Sequence, residues 1–295
     1  MPRTTAPDVA AAKGVRKIVM LAAYDFTSAR LAEAAGVDVI LVGDSLAMVV
    51  LGHDDTLSVT MEELLHHVRA VARGAGAALV VADMPFMSYQ ASVETAVANA
   101  GRFLKEGRAG AVKVEGGRAI VPQVRAMVAA GIPVLGHVGL TPQHVAALGG
   151  FKVQSKTAEA AATLVADATA LAEAGCFAVV LECIPAPVAA AVTRAVPIPT
   201  IGIGAGPACD GQVLVFHDVL GLYDRMRPRF VKQFGNLGEQ AVAALTGYAE
   251  AVRNSDFPGT EHSFSMASEA QAAFEALLAP EAGGPGAGGK DGQDA

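Results

Sequence analysis

The sequence predicts an α/β protein built as a (β/α)8 TIM barrel, and three observations carry that prediction. Short apolar runs without alternation recur along the chain, as parallel strands covered on both faces require: Val39–Val42, Leu79–Ala82, Ala111–Val114, Pro133–Leu135, Ala178–Leu181 and Thr200–Ile203. Each is followed by a stretch with helical spacing. Each also finishes on a polar, ionisable or glycine position, here Asp44, Asp83, Glu115, His137, Glu182 and Gly204. Groups at the ends of parallel strands gather at one mouth of the sheet, where α/β barrels carry their chemistry. The 295 residues, 52% of them hydrophobic, suffice for one large core, since such a barrel takes roughly 250 residues.

Taken in order, Lys17–Ala23 reads as the first strand and Asp25–Ala35 as its helix, broken by Gly36. The second strand, Val37–Val42, opens into a long polar stretch, Gly43–Thr60, whose length marks it as a substrate-covering loop. Thr60 and Glu63 form a capping-box signature for a helix reaching Arg73. The third strand ends at Asp83, and its helix runs from Ser92 to Glu106. In the fourth strand Lys113 and Glu115 are two apart, so both face the barrel interior. The fifth ends at Gly136-His137 and leads into a second long loop, Gly139–Lys156, with a Thr141-Pro142 helix-start signal. Thr157–Ala174 reads as a helix closed by Gly175, the sixth strand ends at Glu182, the seventh at Gly202–Gly206, and the eighth falls within Gln212–Phe216. A helix of good formers after Gly238 reaches Arg253. The expected organisation is a flexible segment 1–16, a single barrel domain with a C-terminal helix over 17–264, and a largely disordered Pro/Gly-rich tail over 265–295.

Composition excludes several partner classes. A net charge of −7 and a pI near 5.5 oppose binding to a phosphate backbone, which calls for a basic stripe. Mean hydropathy is +0.40, yet charged residues or glycine cut every apolar stretch short of the ~18 residues of a spanning helix. No export signal is visible. The three cysteines, Cys176, Cys183 and Cys209, lack CxxC spacing and read as structural thiols of a reducing compartment. A cytoplasmic protein without nucleic-acid or membrane partners is expected.

Asp44, Asp83 and Glu115 converge at the barrel mouth. Two unit charges ~5 Å apart at an effective dielectric of ~20 repel by about 3 kcal/mol, so the three must share a cation or take up a proton. Carboxylate oxygens suit magnesium, whereas zinc wants His or Cys at defined spacing. Lys113 reads as a counter-ion for these acids, as a binder of substrate carboxylate, or as a Schiff-base lysine. Glu182, across the barrel, is a candidate general base. His137 stands between two readings, a residue supporting the metal ligands and a packed core histidine. The Gly202–Gly206 run is open between a phosphate cradle and close packing.

At this point the segments become recognisable. Leu41-Val42-Gly43-Asp44-Ser45-Leu46, Ala82-Asp83-Met84-Pro85-Phe86-Met87, Val112-Lys113-Val114-Glu115-Gly116-Gly117, Gly136-His137-Val138-Gly139-Leu140-Thr141-Pro142-Gln143, Leu181-Glu182-Cys183 and Pro258-Gly259-Thr260-Glu261-His262 stand in the order and form in which the ketopantoate hydroxymethyltransferase family has them. The resemblance runs from about Met20 to Phe264. It implies a barrel of the phosphoenolpyruvate mutase/isocitrate lyase-like type, Mg2+, 5,10-methylenetetrahydrofolate as one-carbon donor, 3-methyl-2-oxobutanoate as acceptor, a magnesium-stabilised enolate, and a homodecamer acting in pantothenate synthesis. Carried over by position, Asp44 and Asp83 resemble the magnesium ligands, with Glu115 joining them through water. Asp44, Ser45, Asp83 and Lys113 resemble the oxo-acid contacts, and Glu182 resembles the proton acceptor. Ala47, Asp55 and Ser58 depart from the common pattern beside these positions. The rival readings are a magnesium-dependent lyase or mutase of the same barrel group, whose Lys-Lys-Cys-Gly-His loop is missing here, and a non-catalytic barrel.

Overall fold

In the computed structural model, which describes residues 3–279, eight parallel strands close on themselves in sequential order. They are β1 (Ile18–Ala22), β2 (Val39–Val42), β3 (Leu79–Asp83), β4 (Ala111–Glu115), β5 (Val134–Gly139), β6 (Ala178–Glu182), β7 (Thr200–Ile203) and β8 (Gly211–Val215). β8 pairs with β1 to complete the ring. Every residue of β2, β3 and β4 is buried, because these strands are covered from inside and outside, and that double burial is why their sequences read as unbroken apolar runs.

The helices in chain order are α1 (Ala6–Ala11), α2 (Phe26–Ala34), α3 (Leu46–Val49), α4 (Met61–Gly74), α5 (Val93–Lys105), α6 (Val121–Ala129), α7 (Val145–Leu148), α8 (Ala158–Glu173), α9 (Ala186–Ala195), α10 (Phe216–Leu220), α11 (Leu237–Arg253) and α12 (Ser268–Leu278). Their starts are fixed by side-chain caps. In α4 the Glu63 N–H donates to Thr60 Oγ1 at 3.2 Å and the Thr60 N–H donates back to Glu63 Oε2 at 2.8 Å, a reciprocal pair worth about 1 kcal/mol per cap. At the starts of α5 and α8 the hydroxyls of Ser92 and Thr157 accept the Thr95 and Ala160 N–H groups, without the return bond. The face of α4 bearing Leu64, Leu65, Val68 and Val71 is buried.

Two differences from the expected organisation stand out. The segment 1–16, expected to be flexible, carries α1: Thr5 and Asp8 form a capping box, and Ala6 and Val9 are buried in the core. The chain also divides into two units, Met1–Gly238 and Glu239–Ala295, rather than keeping residues to 264 with the barrel. The second unit holds most of α11 and all of α12, neither of which has a buried residue. There Tyr248, Phe257 and His262 stack in succession, with ring centroids 5.8 and 5.0 Å apart, following a cis Phe257–Pro258 bond. The tail expected to be disordered thus includes α12, and its remainder, 280–295, lies outside the described residues.

Register positions the site. Asp83 pairs with Lys113, and Glu115 pairs with His137. His137 in turn pairs with Val180, two residues before Glu182 on the same side of β6. Because side chains alternate along a strand, these five residues point to one face, the barrel interior.

Candidate active site

The strand ends deliver the expected acids to one place. Asp44, Asp83 and Glu115 are all buried, and each offers an oxygen within 4.8 Å of the others. Asp44, just past β2, is tied to Asp83 by its own N–H, which donates to Asp83 Oδ2 at 3.1 Å. Lys113 lies between the acids: Nζ is 2.7 and 2.8 Å from the two oxygens of Asp83 and 3.2 Å from Glu115 Oε1. Lys113 is thus paired with the acids of the cluster. His137 spans the next gap, with Nδ1 3.3 Å from Glu115 Oε1 and Nε2 3.2 Å from Glu182 Oε2.

Protonation follows from burial and charge. Desolvation, with the charges of Asp83 and Glu115 added, pushes the Asp44 carboxyl well above its ordinary range. Burial likewise raises Asp83, against the pull of Lys113. Burial works to raise Glu115 too, but Lys113 and His137 outweigh it and hold the carboxyl at about 2. Burial opposes a charged Lys113, yet the surrounding carboxylates keep the ammonium protonated. The His137 imidazole, against its own burial, is raised to about 9 by Glu115. One ammonium and one imidazolium do not balance this many clustered carboxylates, and a divalent cation would supply the missing positive charge. Three convergent carboxylate oxygens are the donor set of a hard ion such as magnesium.

Sequence reasoning gave no role to Gln143, and the structure makes it a hub. Its Nε2 donates to Asp44 Oδ2 at 3.0 Å and to the Met84 carbonyl at 2.9 Å, while its backbone N–H donates to Glu115 Oε2 at 3.0 Å. The Gln143 carbonyl oxygen accepts from Tyr89 Oη at 2.9 Å and Gln90 Nε2 at 3.0 Å. The Thr141-Pro142 turn sets it there, but no spacing rule singles out an amide in a loop.

Around these groups lies a cavity of about 390 Å³ lined by Asp44, Ser45, Asp83, Lys113, Glu115, His137 and Glu182, and by apolar side chains from the two long loops and the β8 end. Ser45 Oγ is 2.8 Å from Tyr24 Oη. Gly139, at φ +101°, lies against Glu182: a Cβ there would collide with the Glu182 carbonyl oxygen and come within 2.9 Å of Ile184 Cγ2. Cys176 and Cys209 are buried, and Cys183, at φ +47°, borders the cavity with a thiol pushed up to about 12 by burial. In the glycine run, a Cβ on Gly204 or Gly206 would come within 2.8 Å of the Phe230 ring or 2.6 Å of Ala186, so close packing accounts for those glycines.

Comparison with known proteins places the chain among named relatives. The family model described as ketopantoate hydroxymethyltransferase matches residues 3–260. A curated protein of Syntrophobacter fumaroxidans named 3-methyl-2-oxobutanoate hydroxymethyltransferase is 66% identical over 265 residues, 90% of this chain and 94% of that protein. One of the same name from Moorella thermoacetica is 60% identical over 263 residues, 89% of this chain and 98% of that one. Among solved structures, phosphonopyruvate hydrolase in complex with oxalate and Mg++ superposes with a TM-score of 0.58 at 16% identity, over 95% of this chain and 99% of that one. A 2,3-dimethylmalate lyase, described as a member of the PEP mutase/isocitrate lyase superfamily, gives 0.55 at 18% identity, over 93% and 99%. At such identities these two structures speak for the barrel type alone.

Proposed function

Because the chain belongs to the ketopantoate hydroxymethyltransferase family, we propose that it moves the one-carbon unit of 5,10-methylenetetrahydrofolate, with one water, to 3-methyl-2-oxobutanoate at the Asp44–Asp83–Glu115 cluster, giving 2-dehydropantoate and tetrahydrofolate. Its activity is that of a 3-methyl-2-oxobutanoate hydroxymethyltransferase, a one-carbon transferase. The observation that carries the site assignment is the convergence of three buried carboxylates at the end of the barrel where chemistry is done.

Asp44 and Asp83 would hold a magnesium ion, with Glu115 joining through water. When bound, the ion supplies Lewis-acid polarisation of the 2-oxo group, stabilising the charge that develops as the C3 proton leaves. Glu182 accepts that proton, a role typically contributing ~10²–10⁴-fold. His137, in contact with both Glu182 and Glu115, fixes the base relative to the cluster. Lys113 offsets the carboxylate charge of the substrate, and Ser45 helps seat it. One water is consumed as the one-carbon unit passes to C3: C3 bonds to the donor carbon, the water supplies its hydroxyl oxygen, and the C–N bonds to N5 and N10 break, the two nitrogens taking up the C3 proton and one proton of the water to leave tetrahydrofolate.

The reading extends to assembly and compartment. α11 exposes Val242, Leu245, Tyr248 and Val252, an apolar surface that supports association with further copies of the chain, and the family resemblance makes the assembly a decamer. No helix among the described residues is long and apolar enough to cross a membrane, and the reading takes the enzyme to act in the cytoplasm. Ketopantoate formation from the two substrates, measured with magnesium and after chelation, tests the assignment. Metal-dependent product is expected; folded protein yielding no product under either condition would overturn it.

A further inference from the structure

The cavity is larger than a five-carbon oxo acid needs, and its charged lining extends beyond the strand-end cluster to Lys152, Arg229 and Asp218, the last in α10 immediately after β8. This carboxylate is half-buried and has no hydrogen-bond or ion-pair partner among the described residues. Burial alone lifts it to about 6, with no compensating donor. A carboxylate withdrawn from water without a donor costs free energy, and such a group calls for an explanation. Its charge reaches Tyr24, whose hydroxyl contacts Ser45, so Asp218 shares the chamber of the strand-end cluster.

The oxo acid is itself an anion and would be repelled by Asp218. The partner that suits it presents two adjacent N–H donors on a flat, weakly polar body. The same cavity is lined by Tyr223, Met226 and Phe230, side chains that suit the faces of a ring. A 2-amino-4-oxopteridine has such an edge, its N3–H and 2-amino N–H lying side by side in the spacing of a carboxylate's two oxygens.

We propose that Asp218 is the pterin-recognition residue of this chain, its carboxylate accepting the N3–H and 2-amino N–H of the folate donor in the cavity that also receives the oxo acid. This rests on the transferase reading above and adds a donor subsite to it. In one chamber, each substrate then meets a group of matching charge: cationic Lys113 with its metal site for the oxo acid, anionic Asp218 for the pterin edge.

Equilibrium binding of tetrahydrofolate to the full chain, by anaerobic titration calorimetry with magnesium and oxo acid present, tests the proposal in wild type and Asp218→Asn. Two charge-assisted hydrogen bonds predict a Kd raised ~10- to 100-fold in the variant. Unchanged affinity in folded Asp218→Asn would overturn the proposal. A second measurement covers a variant that fails to fold: the wild-type chain is offered tetrahydropterin and tetrahydrolumazine, which carries a 2-oxo group in place of the 2-amino. A preference of at least ~10-fold for the amino compound is expected, and equal affinity would overturn the proposal. The two readings fail separately. Wild-type chain that binds tetrahydrofolate through Asp218 yet makes no ketopantoate would sink the transferase reading alone, whereas active wild type with an indifferent Asp218→Asn would sink only the subsite.

Discussion

The side-chain amide of Gln143 donates to Asp44 Oδ2 at 3.0 Å, so one oxygen of a proposed metal ligand is held by a neutral group from the loop after β5. The same residue's backbone N–H holds Glu115. One loop residue thereby orients acids from two different strand ends, leaving their other oxygens to face the cluster.

Removing that support by Gln143→Leu is expected to weaken Mn2+ binding ~10- to 100-fold, the usual penalty for losing a partner that orients a ligand. Titration followed by electron paramagnetic resonance reads this directly, without relying on turnover. Retention of wild-type affinity would show that Asp44 and Glu115 need no such support.

Among the described residues Lys113 is the one lysine paired with Asp83 and Glu115, and its side chain is 5% exposed. Lys113→Met therefore leaves uncompensated buried charge, a loss of about 3–5 kcal/mol in metal-free protein. A divalent cation would offset part of it. Thermal unfolding with and without Mg2+ should show a larger metal-induced rise in Tm for the variant than for wild type; equal rises would argue that the ion does not bind at these acids.

Gly139 abuts the backbone of Glu182 at a φ that L side chains rarely adopt. Gly139→Ala is expected to cost about 1–3 kcal/mol through backbone strain and to lower kcat by displacing the Glu182 carboxylate, with Mn2+ affinity kept. A variant as stable and as active as wild type would mean that the β5–β6 contact does not set the position of the base.

Acid stability should depend on Glu33. Partial burial works to raise its carboxyl, but the N–H groups of Ala77, Ala78 and Gly76 outweigh burial and leave it below its ordinary 4.5. A depressed folded-state value means stability that is fully present above the unfolded value and lost as pH falls from there through the folded one. Glu33→Gln should therefore be less stable than wild type at neutral pH and converge with it in the acid range below 4.5. Chemical denaturation across that window measures it, and parallel curves would contradict the sign.

The barrel was legible because its strands are buried on both faces and so differ in pattern from everything around them. The same pattern exposed Asp44, Asp83, Glu115, His137 and Glu182, since each closes an apolar run, and period-two alternation put Lys113 beside Glu115. α1 was not legible: its six residues are too few for periodicity, and only the Thr5–Asp8 box marks them. Gln143 was hidden because its importance lies in where an irregular loop carries an amide, which depends on tertiary placement. Asp218 lies just past the stretch expected to hold the eighth strand, and nothing in spacing distinguishes an unpartnered carboxylate from a surface one. The division after Gly238 was equally obscure, because α11 continues helical from Leu237 across it.

The central claim is that the Asp44–Asp83–Glu115 cluster with Glu182 abstracts the C3 proton of the oxo acid. The most direct measurement is proton NMR of 3-methyl-2-oxobutanoate in D2O, following loss of the C3–H signal without any folate present. The account predicts exchange by the wild-type chain with Mg2+, abolished by chelation and slowed ~10²–10⁴-fold in Glu182→Gln. Exchange that persists undiminished in chelated protein or in folded Glu182→Gln would contradict it.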